Sequence, residues 1–201
     1  MSPKLHIPKA GRSDWETPTD TFDYLDERFG PFDLDAACLP DQITAMTILA
    51  RGGRILIPPD APFPPVTGWP AEVLLRISED GLKGNWKGSI AWLNPPYNAL
   101  GAWLHVVTQE VEQGNVNTVC VIMPARTDTA YWQQYVVREV RRKVPWPNAP
   151  ETAWTVDAHP MLHTVVNLAG RLTFLGADAP YTQPICAVVY GLNVKDKEHP
   201  G

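Results

Sequence analysis

The chain has 201 residues, 44% of them hydrophobic, which is enough for one domain with a sizeable core. Its net charge of -5 argues against a protein that coats nucleic acid indiscriminately, because such proteins are basic. No apolar run approaches the roughly 18 residues of a membrane span, and none resembles a signal core. Three widely spaced cysteines, Cys38, Cys120 and Cys186, predict reduced core thiols of a cytoplasmic protein.

A short amphipathic helix is predicted after a flexible arm of residues 1–13. Thr17 can cap this helix, and Pro18 suits its first position. One apolar face follows at helical spacing, formed by Phe22, Leu25 and Phe29. Gly30-Pro31 is expected to end the helix.

Strands are predicted at residues 32–37, 73–77 and 89–93, with a long irregular segment before the second. From Pro58 to Pro70 there are six prolines in thirteen residues, a density that excludes regular structure. Residues 50–72 are therefore interpreted as an insertion loop.

The second half of the chain continues the alternation of helices and strands. A helix begins at Leu100 and ends at Gly114, a buried strand covers 116–123, and a helix covers about 130–140. The apolar face of the first of these helices consists of Leu100, Trp103, Leu104, Val107 and Val111. Two final strands are predicted at 164–174 and 184–189. A single α/β domain over 14–191 follows, with a mainly parallel sheet and an antiparallel C-terminal hairpin. Residues 192–201 are expected to be a flexible terminus.

The strongest chemical signal is Asn94-Pro95-Pro96-Tyr97, directly after an apolar strand. The exocyclic nitrogen of adenine is a poor nucleophile, because its lone pair is conjugated into the ring. Two acceptors that each hold one N–H would favour a tetrahedral nitrogen, and the Asn94 side-chain oxygen and Pro95 carbonyl can supply them. Tyr97 can stack on the base. The alternative interpretation is a strand-to-loop turn with a packed tyrosine.

Such a reaction needs no metal and no serine, cysteine or histidine nucleophile, if the methyl donor is a sulfonium such as S-adenosyl-L-methionine. A base inside a duplex cannot reach the pocket, so it has to be flipped out. His159 and His163 have metal-pair spacing, but Pro160 lies between them and no third ligand is near in sequence.

Six segments, in order, resemble the phage-type DNA N6-adenine methyltransferases, the Dam family of phages and prophages. They are Asp14-Trp15-Glu16-Thr17-Pro18, Phe32-Asp33-Leu34-Asp35-Ala36-Ala37, Asp80-Gly81-Leu82 with Trp86, Asn94-Pro95-Pro96-Tyr97, Pro124-Ala125-Arg126-Thr127-Asp128-Thr129, and Gly170-Arg171-Leu172-Thr173-Phe174. The resemblance implies a Rossmann-like methyltransferase fold and a site-specific, adenine-specific DNA methyltransferase in the bacterial cytoplasm. Protection of phage DNA against restriction-modification is a purpose it also implies.

The same resemblance implies a cofactor site for S-adenosyl-L-methionine. Thr17 and Pro18 would lie over its methionine end, Asp35 and Ala36 would occupy the first cofactor motif, and the remaining contacts would come from Asp80, Gly81, Leu82 and Asn94. Asp35 also fits a helix cap, and Asp80 a turn. The glycine-rich turn usual after the first strand is replaced by Ala36-Ala37-Cys38. Asp41 and Asp60 are candidates for the ribose-binding acid, and the insertion at 50–72 leaves the choice between them open.

Duplex DNA is the expected partner, and residues 138–165 are the predicted recognition region. Candidate DNA contacts are Arg126, Thr127 and Asp128 beside the site, and Arg141, Arg142 and Lys143 in a basic cluster. The alternatives are an Arg–Asp pair that braces a turn and a solvated helix end.

Two rival functions remain open at this point. One is methyl transfer to RNA adenine or to a protein glutamine, which Asn-Pro-Pro-Tyr also serves. The other is a degenerate module that only binds DNA, which the absent glycine turn favours. The sequence leaves the recognition sequence and the oligomeric state open.

Overall fold

A computed structural model of the protein describes residues 16–58, 70–83, 86, 88, 90–143 and 154–197. The first part contains α1 (Thr19–Phe29), β1 (Leu34–Asp35), α2 (Ile43–Ala50), β2 (Arg54–Ile57), α3 (Ala71–Leu74), β3 (Ile77–Glu79) and β4 (Ile90–Leu93). The second contains α4 (Leu100–Glu112), β5 (Thr118–Pro124), a π-helical turn (Trp132–Val136), β6 (Val137–Lys143), β7 (Trp154–Ala158), β8 (Leu162–Asn167) and β9 (Ile185–Tyr190). Short 3-10 turns occupy Gly81–Lys83 and Tyr97–Ala99.

The described strands form one seven-stranded, mostly parallel sheet in the order β3-β2-β1-β4-β5-β9-β8, and a separate ribbon of β6 and β7. The five strands β3, β2, β1, β4 and β5 are all parallel to their neighbours. β9 is antiparallel to β5, and β8 is antiparallel to β9. The predicted α/β class and the mainly parallel sheet are thereby confirmed, and the last two strands pair antiparallel.

Apolar side chains fill both faces of the sheet. On one face, the predicted stripe of α4 packs with Trp86 and with alternate residues of β4, β5 and β9. On the other face, Phe22, Leu25 and Phe29 of α1 pack with Phe32 and Trp92. β5 and β9 are buried along their whole length, as expected for central strands covered on both faces.

A C-terminal clasp fastens the segment after β9 to α1. Arg28 donates from Nε and Nη2 to both carboxylate oxygens of Asp196, at 3.0 and 2.9 Å, with both side chains nearly buried. The Lys197 N–H donates to the Arg28 carbonyl. Asp196 and Lys197, within the segment 192–201 that was predicted to be a flexible terminus, are thus fastened to α1.

Four predicted elements differ from the structure. Residues 73–77 are the end of α3 and a turn, and the strand begins only at Ile77. The predicted loop of 50–72 contains β2 and the start of α3, while 59–69 lie outside the described residues. The predicted helix at 130–140 gives way at Val137 to β6, because this segment pairs with β7. The strand predicted at 164–174 ends at Asn167.

The helix starts and ends follow local chemistry closely, with one exception. Gly30 is the C-cap of α1, and α4 ends at Glu112, two residues before Gly114, which takes a positive φ of 72°. Thr17, in contrast, does not cap α1, because the residue at the N-cap is Pro18 and it makes no side-chain capping bond. None of the described helices is both long and apolar enough to cross a bilayer.

Candidate active site at the carboxyl edge of the sheet

Three of the predicted site segments follow parallel strands at the carboxyl edge of the sheet, two of them on the adjacent strands β1 and β4 and one on β3, which β2 separates from β1. Asp35 ends β1, Asn94 follows β4, and Asp80 follows β3. β1 and β4 are paired in parallel, with Asp35 opposite Trp92, and the Ala36 N–H donates to the Trp92 carbonyl at 3.0 Å. The turn after β1 therefore starts beside the residues that lead into Asn94. Ligands of open α/β sheets bind at this edge.

Asp35 is completely buried and braces the turn after β1 against α2. Its Oδ2 accepts from Thr44 Oγ1 at 2.9 Å, and its Oδ1 accepts from the Ala37 N–H at 3.3 Å. Burial raises the pKa of Asp35 to about 6, although these hydrogen bonds lower it. The structure thus gives Asp35 a bracing role, while its contact with a cofactor stays a prediction.

The loop after β3 approaches the turn after β1 closely. A Cβ built on Gly81 would lie 2.2 Å from the Ala36 carbonyl oxygen and 2.9 Å from the Trp103 ring, so only glycine fits there. Trp86 Nε1 donates to the Gly81 carbonyl at 2.8 Å. Leu82 packs on the buried cluster around α4. Gly81 is thus in close contact with Ala36, and the role of Ala36, Gly81 and Leu82 in binding a cofactor stays a prediction.

Asp80 has an unusual backbone and an unsatisfied oxygen. Its φ of 60° is left-handed, a conformation that aspartate tolerates better than most residues. Its Oδ2 pairs with the exposed Lys83 Nζ at 2.7 Å. Its Oδ1 is buried and accepts no hydrogen bond from the part of the chain that the structure describes. A buried acceptor without a donor is costly and suggests a ligand donor.

The Asn94–Tyr97 turn continues from β4 into α4. Pro95 is buried, Asn94 and Pro96 are half-buried, and Tyr97 opens the 3-10 turn that leads into α4. The hydroxyl of Tyr97 is buried with no partner among the described residues. Burial raises the pKa of this phenol well above its usual value, so it remains neutral.

An aromatic cluster holds the Tyr97 ring from the side. Phe174 lies 6.2 Å from it and Tyr181 lies 5.6 Å from it, both edge-on, and these two rings are 6.1 Å apart. Both rings belong to the irregular segment 168–184. Two hydrogen bonds hold this segment together: the Tyr181 N–H donates to the Leu172 carbonyl, and Arg171 Nη1 donates to the Thr182 carbonyl. The contacts fix the plane of the ring that is predicted to stack on a base.

Thr17 and Pro18 lie directly before α1. Thr17 is almost fully buried, and its Oγ1 has no hydrogen-bond partner within the described ranges. Pro18 is extended, and its carbonyl accepts the first N–H groups of the helix, from Thr21 and Phe22.

Arg126 and Asp128 form an exposed ion pair just beyond β5. Arg126 Nη2 donates to Asp128 Oδ2 at 2.9 Å, and this bond raises the pKa of Arg126 and lowers that of Asp128. The Thr127 side chain is exposed, and its carbonyl accepts from Gln133 Nε2 at 2.6 Å. This is the Arg–Asp pair that the sequence offered as the alternative to a DNA contact. Because both side chains are exposed, a second molecule can reach them.

The basic cluster lies on the ribbon rather than on a helix end. Arg141, Arg142 and Lys143 belong to β6, which pairs antiparallel with β7 and has an irregular register between Glu139 and Arg142. Residues 144–153 lie outside the described part of the chain, as do the side chains of this cluster. The described part of the predicted recognition region 138–165 thus consists of this ribbon, a short connection and the start of β8.

Several residues around the site were not assigned a role from sequence. Phe174 and Tyr181 support Tyr97, Thr44 holds Asp35, and Glu16 accepts from the Ile43 N–H at the start of α2. Glu16 and Phe174 did lie within the segments of resemblance, so their position in the motifs was an available signal. No such signal marks Thr44 or Tyr181.

Within the described residues, no group of three or more His, Cys, Asp or Glu side chains is arranged to hold a metal ion. His159 Nδ1 accepts from the Met161 N–H, and His163 lies 3.7 Å from Asp196. All three cysteines are free and buried.

A comparison with curated proteins finds a DNA N-6-adenine-methyltransferase of Escherichia phage T1, 24% identical over 174 residues. The chain is thus similar to a phage adenine methyltransferase. The resemblance inferred from the six segments is confirmed by this relative. The match covers 86% of this chain and 58% of the phage protein, so the chain corresponds to little more than half of its relative. No protein-family model and no solved structure matches the chain.

Proposed function

We propose that this protein is a site-specific DNA methyltransferase that transfers a methyl group from S-adenosyl-L-methionine to N6 of adenine in duplex DNA. The phage relative, named a DNA N-6-adenine-methyltransferase, supports methyl transfer to DNA adenine. The strand order, with one reversed strand between β5 and β8, fits a Rossmann-like methyltransferase fold. The flipped base would enter beside Tyr97.

The observation that carries the proposal is the pairing of β1 with β4. It sets the Asp35-Ala36 turn and the Asn94–Tyr97 turn side by side at the carboxyl edge. A cofactor held by the first turn and a base held by the second would therefore be neighbours. Methyl transfer depends mainly on such alignment.

The residues around this edge fit the proposed cofactor. S-adenosyl-L-methionine supplies a methyl group that is already activated by its sulfonium, and it carries an ammonium and an adenine amine, both donors. Asp80 Oδ1 and Thr17 Oγ1 are buried and unsatisfied among the described residues, as acceptors awaiting donors would be. Asp80 would hold the adenine amine, Thr17 and Pro18 would cover the methionine end, and Leu82 would lie against the ring.

Asn94 and Pro95 would hold the target amino group. Each accepts one N–H, Asn94 through its side-chain oxygen and Pro95 through its carbonyl, so the nitrogen becomes more tetrahedral and its lone pair is freed. Tyr97 would stack on the base in the plane set by Phe174 and Tyr181. Pro96 stiffens the turn.

DNA would contact the outer side of the site. Arg126, Thr127 and Asp128 are exposed at the end of β5, and the ribbon that carries Arg141, Arg142 and Lys143 follows. Antiparallel ribbons can enter a DNA groove, and arginine and lysine bind phosphates. In this proposal the exposed Arg126–Asp128 pair opens toward the flipped nucleotide.

Methyl transfer to three substrates run side by side tests the function. The protein is incubated with labelled S-adenosyl-L-methionine and with duplex DNA, RNA or a glutamine-containing release-factor peptide, and the modified residue is identified by mass spectrometry. N6-methyladenine in DNA supports the proposal. Label confined to RNA or peptide establishes the first rival, and DNA binding without any calorimetric binding of the cofactor establishes the second.

Asp80→Ala is expected to weaken cofactor binding by about 10- to 100-fold, the worth of one charged hydrogen bond of roughly 1.5–3 kcal/mol. Isothermal titration calorimetry with S-adenosyl-L-methionine measures the change. Lys83→Ala is the matched control, because it removes the ion pair at Oδ2 and leaves Oδ1 in place. An Asp80→Ala protein with the wild-type dissociation constant would exclude Asp80 from the site.

A further inference from the structure

Glu16 joins three separate segments of the chain. Its carboxylate Oε1 accepts from the Ile43 N–H at the start of α2. Its carbonyl accepts from the Leu175 N–H at 2.9 Å, within an antiparallel bridge between the two residues. Glu16 is therefore tied to a helix through its side chain and to the segment 168–184 through its backbone.

The first tie places Glu16 beside the turn that follows β1. Glu16 accepts a hydrogen bond from the N–H of Ile43 in α2. The next residue of α2, Thr44, donates a hydrogen bond from its hydroxyl to Asp35. Burial is the main cause of the raised pKa of Asp35, and the nearby charge of Glu16 raises it further.

The next residue, Thr17, is the one that these ties immobilise. It is 2% exposed, and its Oγ1 has no partner within the described part of the chain. Burying a hydroxyl without a hydrogen bond is unfavourable, so a structure that holds one in this way suits a ligand that supplies the missing partner. Glu16, the residue that makes both contacts, directly precedes Thr17 in the chain.

The second tie reaches the base side of the site. Leu175 follows Phe174, and Phe174 packs edge-on against Tyr97. One residue thus links the segment beside the proposed cofactor to the segment that orients the tyrosine of the catalytic turn.

We propose that Glu16 is a positioning residue of the cofactor site, which holds Thr17 at the carboxyl edge by fastening it to α2 and to the segment 168–184. This inference rests on the proposed function. Glu16 acts through the hydrogen bond that it accepts from the Ile43 N–H. This bond requires the length of the glutamate side chain and an acceptor oxygen, and it does not require the negative charge.

Three substitutions separate hydrogen bonding from charge. Glu16→Gln keeps an acceptor oxygen at the same reach, Glu16→Asp keeps the charge but is one methylene shorter, and Glu16→Ala removes both. Glu112→Ala is the matched control, an exposed glutamate at the far end of α4. Each protein is titrated with S-adenosyl-L-methionine by calorimetry, and thermal unfolding, DNA affinity and kcat at saturating cofactor are measured in parallel.

The expected result is a dissociation constant about 10-fold higher in Glu16→Ala and Glu16→Asp, with Glu16→Gln and Glu112→Ala close to wild type. DNA affinity and kcat at saturating cofactor stay near wild type, which a general loss of structure would not allow. The inference is overturned if Glu16→Asp binds normally while Glu16→Gln does not, because charge alone then matters. It is also overturned if all variants bind normally, or if cofactor and DNA binding fall together with stability. A wild-type protein that binds no cofactor would instead refute the proposed function.

Discussion

Replacing Asn94 by alanine is expected to lower the rate of methyl transfer by about 100-fold or more, while the dissociation constant for S-adenosyl-L-methionine stays close to wild type. The change removes one of the two acceptors proposed to hold the adenine amino group, and it leaves Asp80 and Thr17 in place. Single-turnover methylation of duplex DNA measures the rate, and calorimetry measures cofactor binding.

Asn98→Ala is the matched control for this experiment. Asn98 is exposed in the 3-10 turn Tyr97–Ala99, four residues beyond Asn94, so its loss tests a change of similar chemistry in the same loop. Its rate of methyl transfer should remain near wild type. An Asn94→Ala protein that methylates DNA as fast as the Asn98→Ala protein would contradict the proposed role of Asn94.

Asp35→Asn is expected to make the protein more stable at high pH, by up to about 3 kcal/mol. Burial raises the pKa of Asp35 from an ordinary 3.8 to about 6 in the folded protein. Between these values the unfolded chain releases the proton and the folded chain keeps it, so the free energy of unfolding falls as pH rises. Above about pH 6 the penalty of the buried charge is present in full, and asparagine removes it while still offering an acceptor oxygen.

Urea unfolding near pH 8 and near pH 4 measures this effect, because the variant should gain stability at the first pH and little at the second. Asp41→Asn is the control, since Asp41 is an exposed carboxylate a few residues farther along. In the proposed site the charge of Asp35 attracts a cationic cofactor, so cofactor affinity should fall below about pH 6 and in Asp35→Asn. If Asp35→Asn and wild type show the same pH dependence of unfolding, Asp35 is not a buried ionised group.

Local patterns were enough for the elements that bury one clear face. The spacing of Phe22, Leu25 and Phe29 predicted α1, and the continuous apolar run predicted β5. α2 was missed because Ile43–Ala50 has a nearly uniform hydrophobic composition with no period. The first residues of β6 were predicted as helix because Tyr131, Trp132, Tyr135 and Val136 do follow a helical period. Beyond Val136 the pairing with β7 overrides this pattern.

The candidate site, like the fold, has one part that local sequence patterns predict and another part that they do not. The ends of the strands before Asp35 and Asn94 are visible in the sequence, so these two residues could be predicted to share one edge, and the pairing of β1 with β4 places them there. The contacts that orient these groups join distant segments. Tyr97 meets Tyr181, Glu16 meets Ile43, and Gly81 meets Ala36 through folding that no local pattern encodes.

The clasp between Arg28 and Asp196 limits how far the chain can be shortened. A protein cut after Tyr190 would lose the carboxylate that faces two nitrogens of Arg28, whose guanidinium also lies 4.8 Å from the centre of the Phe29 ring. Removing the carboxylate that pairs with a nearly buried cation lowers the free energy of unfolding by about 3–5 kcal/mol, a large share of the stability of a small domain. Truncated versions made for crystallography or fusion should therefore retain Asp196.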